Sequence, residues 1–359
     1  MRIAVGPTRH AECSSGICRQ TLGPAGLLPI RGRRSNEEMA MRFAIVGAGG
    51  WAGQRHVDAV LALGHQVVAL IDPADAVGQR AMDIGAAWFE SLDALDLDSV
   101  DAVTLALPPE FHPEATKRIA TAGRHVLCEK PMAPDLVSAR DLAAFARDAG
   151  VTIMPGYMLR CHAHLRAFAE ALPAIGRLRR LSIATMTLKT EVGGWRTQPG
   201  HGGVMLVNGI HQLDIANWLA GSLTVESADF RNVHFDMPTE DYFSALLRGV
   251  DGCSVRVESA WSPFPPQYAD GMWTTPNGKM RIEAEGDAGA IVLTAGGYRI
   301  NKEVIDLSAI EVADPFVAEF SHFIDTALGR AAPWMTVYDN LRAQELAAGC
   351  RRMYRSDDQ

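Results

Sequence analysis

From Met41 onward, short apolar runs alternate with stretches in which apolar residues recur every three or four positions. That is the pattern of parallel strands joined by helices. Arg42–Val46 predicts a first strand and Trp51–Leu63 a helix; Gln66–Ile71 predicts a second strand, followed by a helix near Ala74–Ile84. Asp101–Leu107 (DAVTLAL) has the near-continuous apolar character of a buried strand, and Pro113–Ala122 follows it as a helix. His125–Cys128, Pro134–Ala149 and Val151–Met154 continue as strand, helix and strand. The order predicts an α/β Rossmann domain, a doubly wound parallel sheet, over residues 41–157.

Beyond Tyr157 the period changes. A helix at Leu159–Ala171 leads into longer strands of alternating character: Leu178–Lys189, Tyr242–Arg248, Ser254–Ala260, Lys279–Ala284 and Ala290–Leu293. Asp251-Gly252 and Asn277-Gly278 are hairpin-turn signals between them. Helices at Val204–Leu219, Pro315–Leu328 and Val337–Tyr354 complete the set. Residues 158–359 therefore read as an α+β domain around a large, mostly antiparallel sheet.

Composition narrows the function more than the fold. A chain of 359 residues is too long for one ordinary core and predicts two domains. A formal charge of −8 argues against a nucleic-acid or anionic-membrane partner, because both need a basic face. No apolar run approaches the roughly 20 residues that span a bilayer. Six cysteines with no CxxC pair fit a reducing cytoplasm. Residues 1–40 carry arginines among Gly, Pro and Ser with little periodicity, and read as a loose arm or an upstream start before Met39 and Met41. A transit peptide is compositionally open, whereas a secretory signal fits poorly for want of an apolar core.

The first chemistry lies at the end of the first strand, which runs into Gly47-Ala48-Gly49-Gly50-Trp51-Ala52-Gly53. Gly47 permits a tight turn, Gly49 lets the backbone approach a pyrophosphate, and Ala52 is small enough for close helix–strand packing. Gly50 and Trp51 open a helix whose free amides favour an anion. The second strand ends in Asp72, an acid placed to bind the adenosine ribose hydroxyls and to repel a 2′-phosphate. A glycine turn alone is weak. In this setting it predicts NAD, with NADP disfavoured.

Three further segments, taken in order, resemble the glucose–fructose oxidoreductase/inositol dehydrogenase (Gfo/Idh/MocA) family. They are Asp101–His112 (DAVTLALPPEFH), Gly123–Pro131 (GRHVLCEKP) and Gly202–Asp214 (GGVMLVNGIHQLD). The resemblance runs from Arg42 to the last helix. It implies an NAD-dependent oxidoreductase acting on a secondary alcohol of a sugar, inositol or cyclic polyol. Lys130 would lie beside the nicotinamide and the reacting alcohol, with His211 as general base. Leu107, Pro108, His112 and Glu129 would border the cofactor, and Pro131 would follow a cis peptide. The resemblance further implies a homodimer or homotetramer built on the second domain's sheet. The family also contains enzymes that hold NAD tightly and use it transiently, glycoside hydrolases among them, and non-enzymatic NAD-responsive regulators.

One departure stands out. Many members carry an acid four residues before the histidine, and here that position is Val207, with Asn208 beside it. Asn208 is a candidate for substrate binding but cannot act as a carboxylate, so the expectation is a Lys130–His211 pair rather than a triad. Asp214, one turn beyond His211, is expected either to orient the helix or to reach the substrate. The loop Glu191–His201 offers Trp195, Arg196 and His201 to the substrate. Trp261–Trp273, rich in proline and aromatics, reads as an oligomer contact, a pocket wall or a rigid connection. Of Cys161, His162 and His164, only Cys161 and His164 could share a helix face, no further ligand set is evident, and no metal site is expected.

Overall fold

The computed structural model describes residues 40–200, 202–264, 273–275, 278–309 and 312–357. The arm predicted over residues 1–40 lies outside them apart from Ala40, as do His201 and much of the Trp261–Trp273 segment.

The first layer comprises β1 (Arg42–Val46), α1 (Trp51–Ala62), β2 (Gln66–Ile71), α2 (Asp75–Ile84), β3 (Ala87–Phe89), β4 (Ala102–Leu105), α3 (His112–Thr121), β5 (His125–Glu129), α4 (Leu136–Arg147) and β6 (Ile153–Gly156). Its strands are all parallel and stand in the order β3-β2-β1-β4-β5-β6. Helices on both faces bury the central strands, and β4 is buried throughout. The order reverses between β1 and β4, and the crevice beyond their carboxyl ends is where such sheets bind ligands.

β4 is shorter than the apolar run Asp101–Leu107. Asp101 instead turns its carboxylate to the Arg42 amide at 2.8 Å, and Pro108, lacking an N–H, cannot extend the ladder. Residues 106–109 thereby leave the sheet and line the crevice.

The second sheet has the order β15-β14-β13-β12-β7-β10-β9-β8, with β11 paired to β12. Its strands are β7 (Leu178–Leu188), β8 (Leu223–Arg231), β9 (Tyr242–Gly249), β10 (Ser254–Ser262), β11 (Trp273–Thr275), β12 (Gly278–Gly286), β13 (Gly289–Thr294), β14 (Gly297–Ile300) and β15 (Glu303–Asp306). Only β7 and β10 pair in parallel; the rest are antiparallel. Among these, β8, β11, β14 and β15, like β3 in the first sheet, were not marked by the sequence pattern. They are short or lie toward an edge, and β8 buries few side chains, so they lack the alternation that marks a half-buried strand.

Two predicted helices are interrupted. Leu159–Ala171 divides into a 3₁₀ turn at Met158–Cys161 and α5 (Ala163–Ala171), where the His162 ring accepts the His164 amide at the cap. Val204–Leu219 opens with a π-helical turn, Met205–Gly209, before α6 (Ile210–Ala220). The last helices, α7 (Pro315–Ala327) and α8 (Val337–Asp357), return to the first layer. Phe316, Phe320 and Phe323 of α7 are buried, and Phe43 of β1 packs on Phe320 and Phe323 at ring separations of 6.1 and 6.3 Å. One apolar core thus runs from β1 through α7 to the inner face of the second sheet. Among the described residues no helix is long and apolar enough to cross a membrane.

Candidate active site

A cleft of about 820 Å³ opens at the β1/β4 switch point and is walled on its far side by the second sheet and α6. At its near end the chain geometry is dictated by the glycine turn. Gly47 has φ +81°, and a Cβ there would lie 2.3 Å from the Ala106 carbonyl oxygen. Gly49 donates its amide to Asp72 Oδ2 at 2.9 Å, and a Cβ there would crowd that carboxylate at 3.0 Å. The tightest helix–strand approach is made by Gly53 rather than Ala52: a Cβ on Gly53 would meet the Gly47 oxygen at 2.1 Å. Ala52 instead lines the cleft with Gly47, Gly50, Trp51 and Asp72. Helix α1 has no side-chain cap at Gly50 and no acid in its first turn, so its N-terminus remains available to an anion. A second cavity of about 330 Å³ shares Gly47, Asp72, Pro73, Leu107 and Phe111 with the cleft and continues it past Asp72. A dinucleotide fits this arrangement: a backbone cradle for phosphates, an acid for the ribose and an adjoining cavity for the base.

At the centre of the cleft stand Leu107, Pro108, Glu129, Lys130, Asn208 and His211. The Lys130–Pro131 peptide is cis. Lys130 Nζ donates to the Val207 carbonyl at 2.8 Å. Val207, where the family resemblance leads one to expect an acid, therefore meets the lysine with a main-chain oxygen, presented by the π-helical turn. Burial lowers the Lys130 pKa, opposed by Glu129 and reinforced by Arg196. His211 is buried edge-on to Tyr157 at 5.8 Å, and its Nδ1 has no hydrogen-bond partner. Burial and then the Lys130 charge hold its pKa well below 6.5, so the ring is neutral at physiological pH. Asn208 Oδ1 accepts the Trp261 indole N–H at 2.6 Å. Because an indole only donates, the Asn208 amide nitrogen is the end left for a ligand.

Two predicted contacts are corrected. Asp214 does not reach the cleft: it is 1% exposed and bonds Arg160 through both oxygens, at 2.6 and 2.7 Å. Arg160 also bonds Asp339 and the Trp334 carbonyl, so the network ties α6 to α8. One turn past His211 on α6, the Asp214 side chain faces the protein interior rather than the ligand. His112 is likewise buried, its Nδ1 2.9 Å from the Pro131 carbonyl, and it supports the Lys130–Pro131 turn from behind instead of touching the cofactor. Trp195 and Arg196 do line the cleft, on the 3₁₀ turn Gly194–Thr197.

Several residues that line the cleft or lie buried near it were not anticipated. Phe316 of α7 reaches the cleft from far along the chain and packs on Trp51 at 5.5 Å. His56 of α1 is fully buried between Thr104 Oγ1 (3.1 Å) and Glu129 Oε1 (3.3 Å). Glu319 of α7 is fully buried, and neither carboxyl oxygen has a partner. Burial, then Glu129, pushes its pKa well up, which favours the protonated form. Thr187 and Lys189, at the end of β7, complete the wall opposite the glycine turn. The periodicity of α1 and α7 marked these faces as core, and only their polar residues could have pointed to a site. Among the described residues no group of three or more His, Cys, Asp or Glu is placed to hold a metal.

Comparison with known proteins identifies the family and the fold. The family model described as an oxidoreductase family with an NAD-binding Rossmann fold matches residues 41–157. The GFO/IDH/MocA C-terminal domain matches residues 171–292. An inositol 2-dehydrogenase of Streptomyces avermitilis is 29% identical over 320 residues, 86% of this chain and 90% of that protein. A 1,5-anhydro-D-fructose reductase of Ensifer adhaerens is 32% identical over 182 residues, 48% of this chain and 54% of its own length, so the match spans about half of that relative. A dehydrogenase of Bordetella pertussis, solved with NADH and UDP-GlcNAcA, shares the fold with a TM-score of 0.74 at 20% identity, covering 89% of this chain and 97% of that one. This chain belongs to the GFO/IDH/MocA family of NAD-binding oxidoreductases.

Proposed function

We propose that the protein transfers a hydride between NAD(H) and a secondary alcohol of a sugar, inositol or cyclic polyol, with Lys130 and His211 as the catalytic pair. The observation that carries this reading is the meeting of a lysine directly after β5 and a neutral histidine from α6 in one cleft that begins at a dinucleotide cradle. When bound, the nicotinamide supplies the hydride acceptor or donor. His211 takes the hydroxyl proton, for which a neutral imidazole is required. Lys130 donates a hydrogen bond to the developing alkoxide. Its bond to the Val207 carbonyl aims the ammonium without competing for its proton as a carboxylate would. Asn208 offers its amide nitrogen to a substrate hydroxyl or the nearer ribose.

Asp72, with no basic residue directly after it, favours NAD over NADP. Free, buried Cys128, Cys161, Cys253 and Cys350 accord with a reducing cytoplasm. The second sheet is the surface we assign to homodimer or homotetramer contacts, following the family resemblance.

The test is NADH formation over a panel of sugars, inositols and cyclic alcohols, with NADP in parallel. Turnover with NAD that Lys130→Ala and His211→Ala each abolish is the expected result. NAD binding without turnover would instead favour the regulator reading. Cofactor retained through gel filtration, with turnover but no net NADH, would favour transient use of a tightly held NAD.

A further inference from the structure

We infer that the substrate carries an anionic group, a carboxylate or a phosphate, bound at the β7 wall of the cleft by Lys189, Arg196 and Thr187. This deepens the reading above and rests on it.

The inner face of β7 changes character along its length. Leu181 and Ile183 are buried in the core, Thr185 and Thr187 follow on the same face, and Lys189 stands next in the alternation as the strand ends at the cleft. Thr185 is satisfied by Gln212 Nε2 at 2.8 Å. Thr187 is 3% exposed, lines the cleft, and its hydroxyl has no hydrogen-bond partner. A buried hydroxyl left unpaired is uncommon in a folded protein and points to a ligand atom as its partner.

The charges beside it tell the same story. Lys189 and Arg196 both line the cleft and are partly buried. Among the described residues no acid offsets either one, and their interaction with each other is repulsive. Arg196 also repels Lys130. On the exposed strands of the same sheet, by contrast, Arg179, Arg248, Arg256 and Arg281 each face a carboxylate, Asp287, Glu226, Glu258 and Glu283 respectively. The two acids lining the cleft are committed elsewhere: Asp72 accepts the Gly49 and Ala74 amides, and Glu129 is engaged with His56. The cofactor's phosphates do not supply the missing charge, since their cradle is the glycine turn after β1.

A neutral polyol would leave two partly desolvated cations without a counter-ion. A carboxylate or phosphate resolves all three groups together, accepting the guanidinium fork of Arg196, the ammonium of Lys189 and the Thr187 hydroxyl.

Matched substrate pairs test this: D-glucuronate against D-glucose, D-galacturonate against D-galactose, and glucose 6-phosphate and inositol monophosphate against their neutral parents. For the favoured class kcat/KM is expected to be roughly 10- to 100-fold higher for the anionic member. Arg196→Gln and Lys189→Met should each remove about tenfold of that preference, chiefly through KM, while Arg196→Lys restores part of it. Uronates and phosphates form separate arms, so the preferred arm names the group. Equal or better turnover of the neutral members overturns the inference and leaves the dehydrogenase reading standing. If nothing turns over, titration of the NADH-bound protein with glucuronate, glucose 6-phosphate and glucose, read by NADH fluorescence, decides instead. Saturation by an anion that is lost in Arg196→Gln supports the anion site; no anion-selective binding overturns it.

Discussion

At the end of the cleft that holds Asp72, the contacts come chiefly from residues 47–73, with Leu107 and Phe111 beside them, and the cradle itself is mostly main-chain: an amide at Gly49, the open N-terminus of α1, and the space left by absent side chains. At the end that holds His211, they come from β5, β7, the Gly194–Thr197 turn, α6 and α7, and nearly all are side chains. The first end is a property of one βαβ unit and is specified wherever that unit is specified. The second exists only once two sheets and the last helices have packed. Cofactor recognition is therefore local and substrate chemistry is long-range, and perturbing one should leave the other measurable.

The largest separation is expected at Lys130. Lys130→Met keeps the aliphatic stem but removes the donor to the alkoxide, and should lower kcat/KM by about 1,000-fold. The NAD dissociation constant, from calorimetry, should change by no more than about threefold, in keeping with backbone-dominated binding.

Next comes the interior tie that Asp214 supplies. Asp214→Asn removes the acid that Arg160 meets through two hydrogen bonds and leaves Asp339, at 3.2 Å, as its remaining carboxylate, so the loss should approach the roughly 3 kcal/mol of a broken buried pair. Chemical denaturation should report that loss, and activity should fall with it because α6 carries His211. A catalytic role would instead reduce kcat at unchanged stability.

The converse perturbation is Gly47→Ala. Its φ of +81° and the 2.3 Å clash with Ala106 should distort the cradle and weaken NAD binding by about 30-fold. Turnover at saturating NAD should survive in part. Equal damage to both would mean that the two ends are not separable.

The smallest effect is on pH. His211 is deprotonated down to well below pH 6.5, so kcat/KM should hold its plateau through neutrality and fall only at lower pH. Removing the Lys130 charge, which contributes to that depression, should move the acid limb upward in the residual activity of Lys130→Met.

The same division explains what could be read from the chain. The strands of the first sheet, the glycine turn and Asp72 follow from local sterics and apolar continuity, and β1 and β2 occupy the predicted residues. Glu319, His56 and Phe316 sit on helix faces that read as core; α1 sets His56 against Glu129, and the packing of α7 on α1 sets Phe316 on Trp51 and brings Glu319 within reach of the Glu129 charge. Asp214 shows the opposite failure. A polar residue one turn from the proposed base His211 looks like a site residue until Arg160 arrives from another segment to bury it. The π-helical turn was hidden for a related reason: no side chain in Met205–Gly209 announces that Val207 will give its carbonyl to a lysine 77 positions earlier.

The most direct test measures NAD affinity and NADH formation on the same preparation of His211→Ala. NAD binding within about threefold of the parent, with NADH formation lowered by about 100-fold or more, is the predicted result. NADH formation close to the parent's would contradict His211 as the base and, with it, the assignment of chemistry to the far end of the cleft.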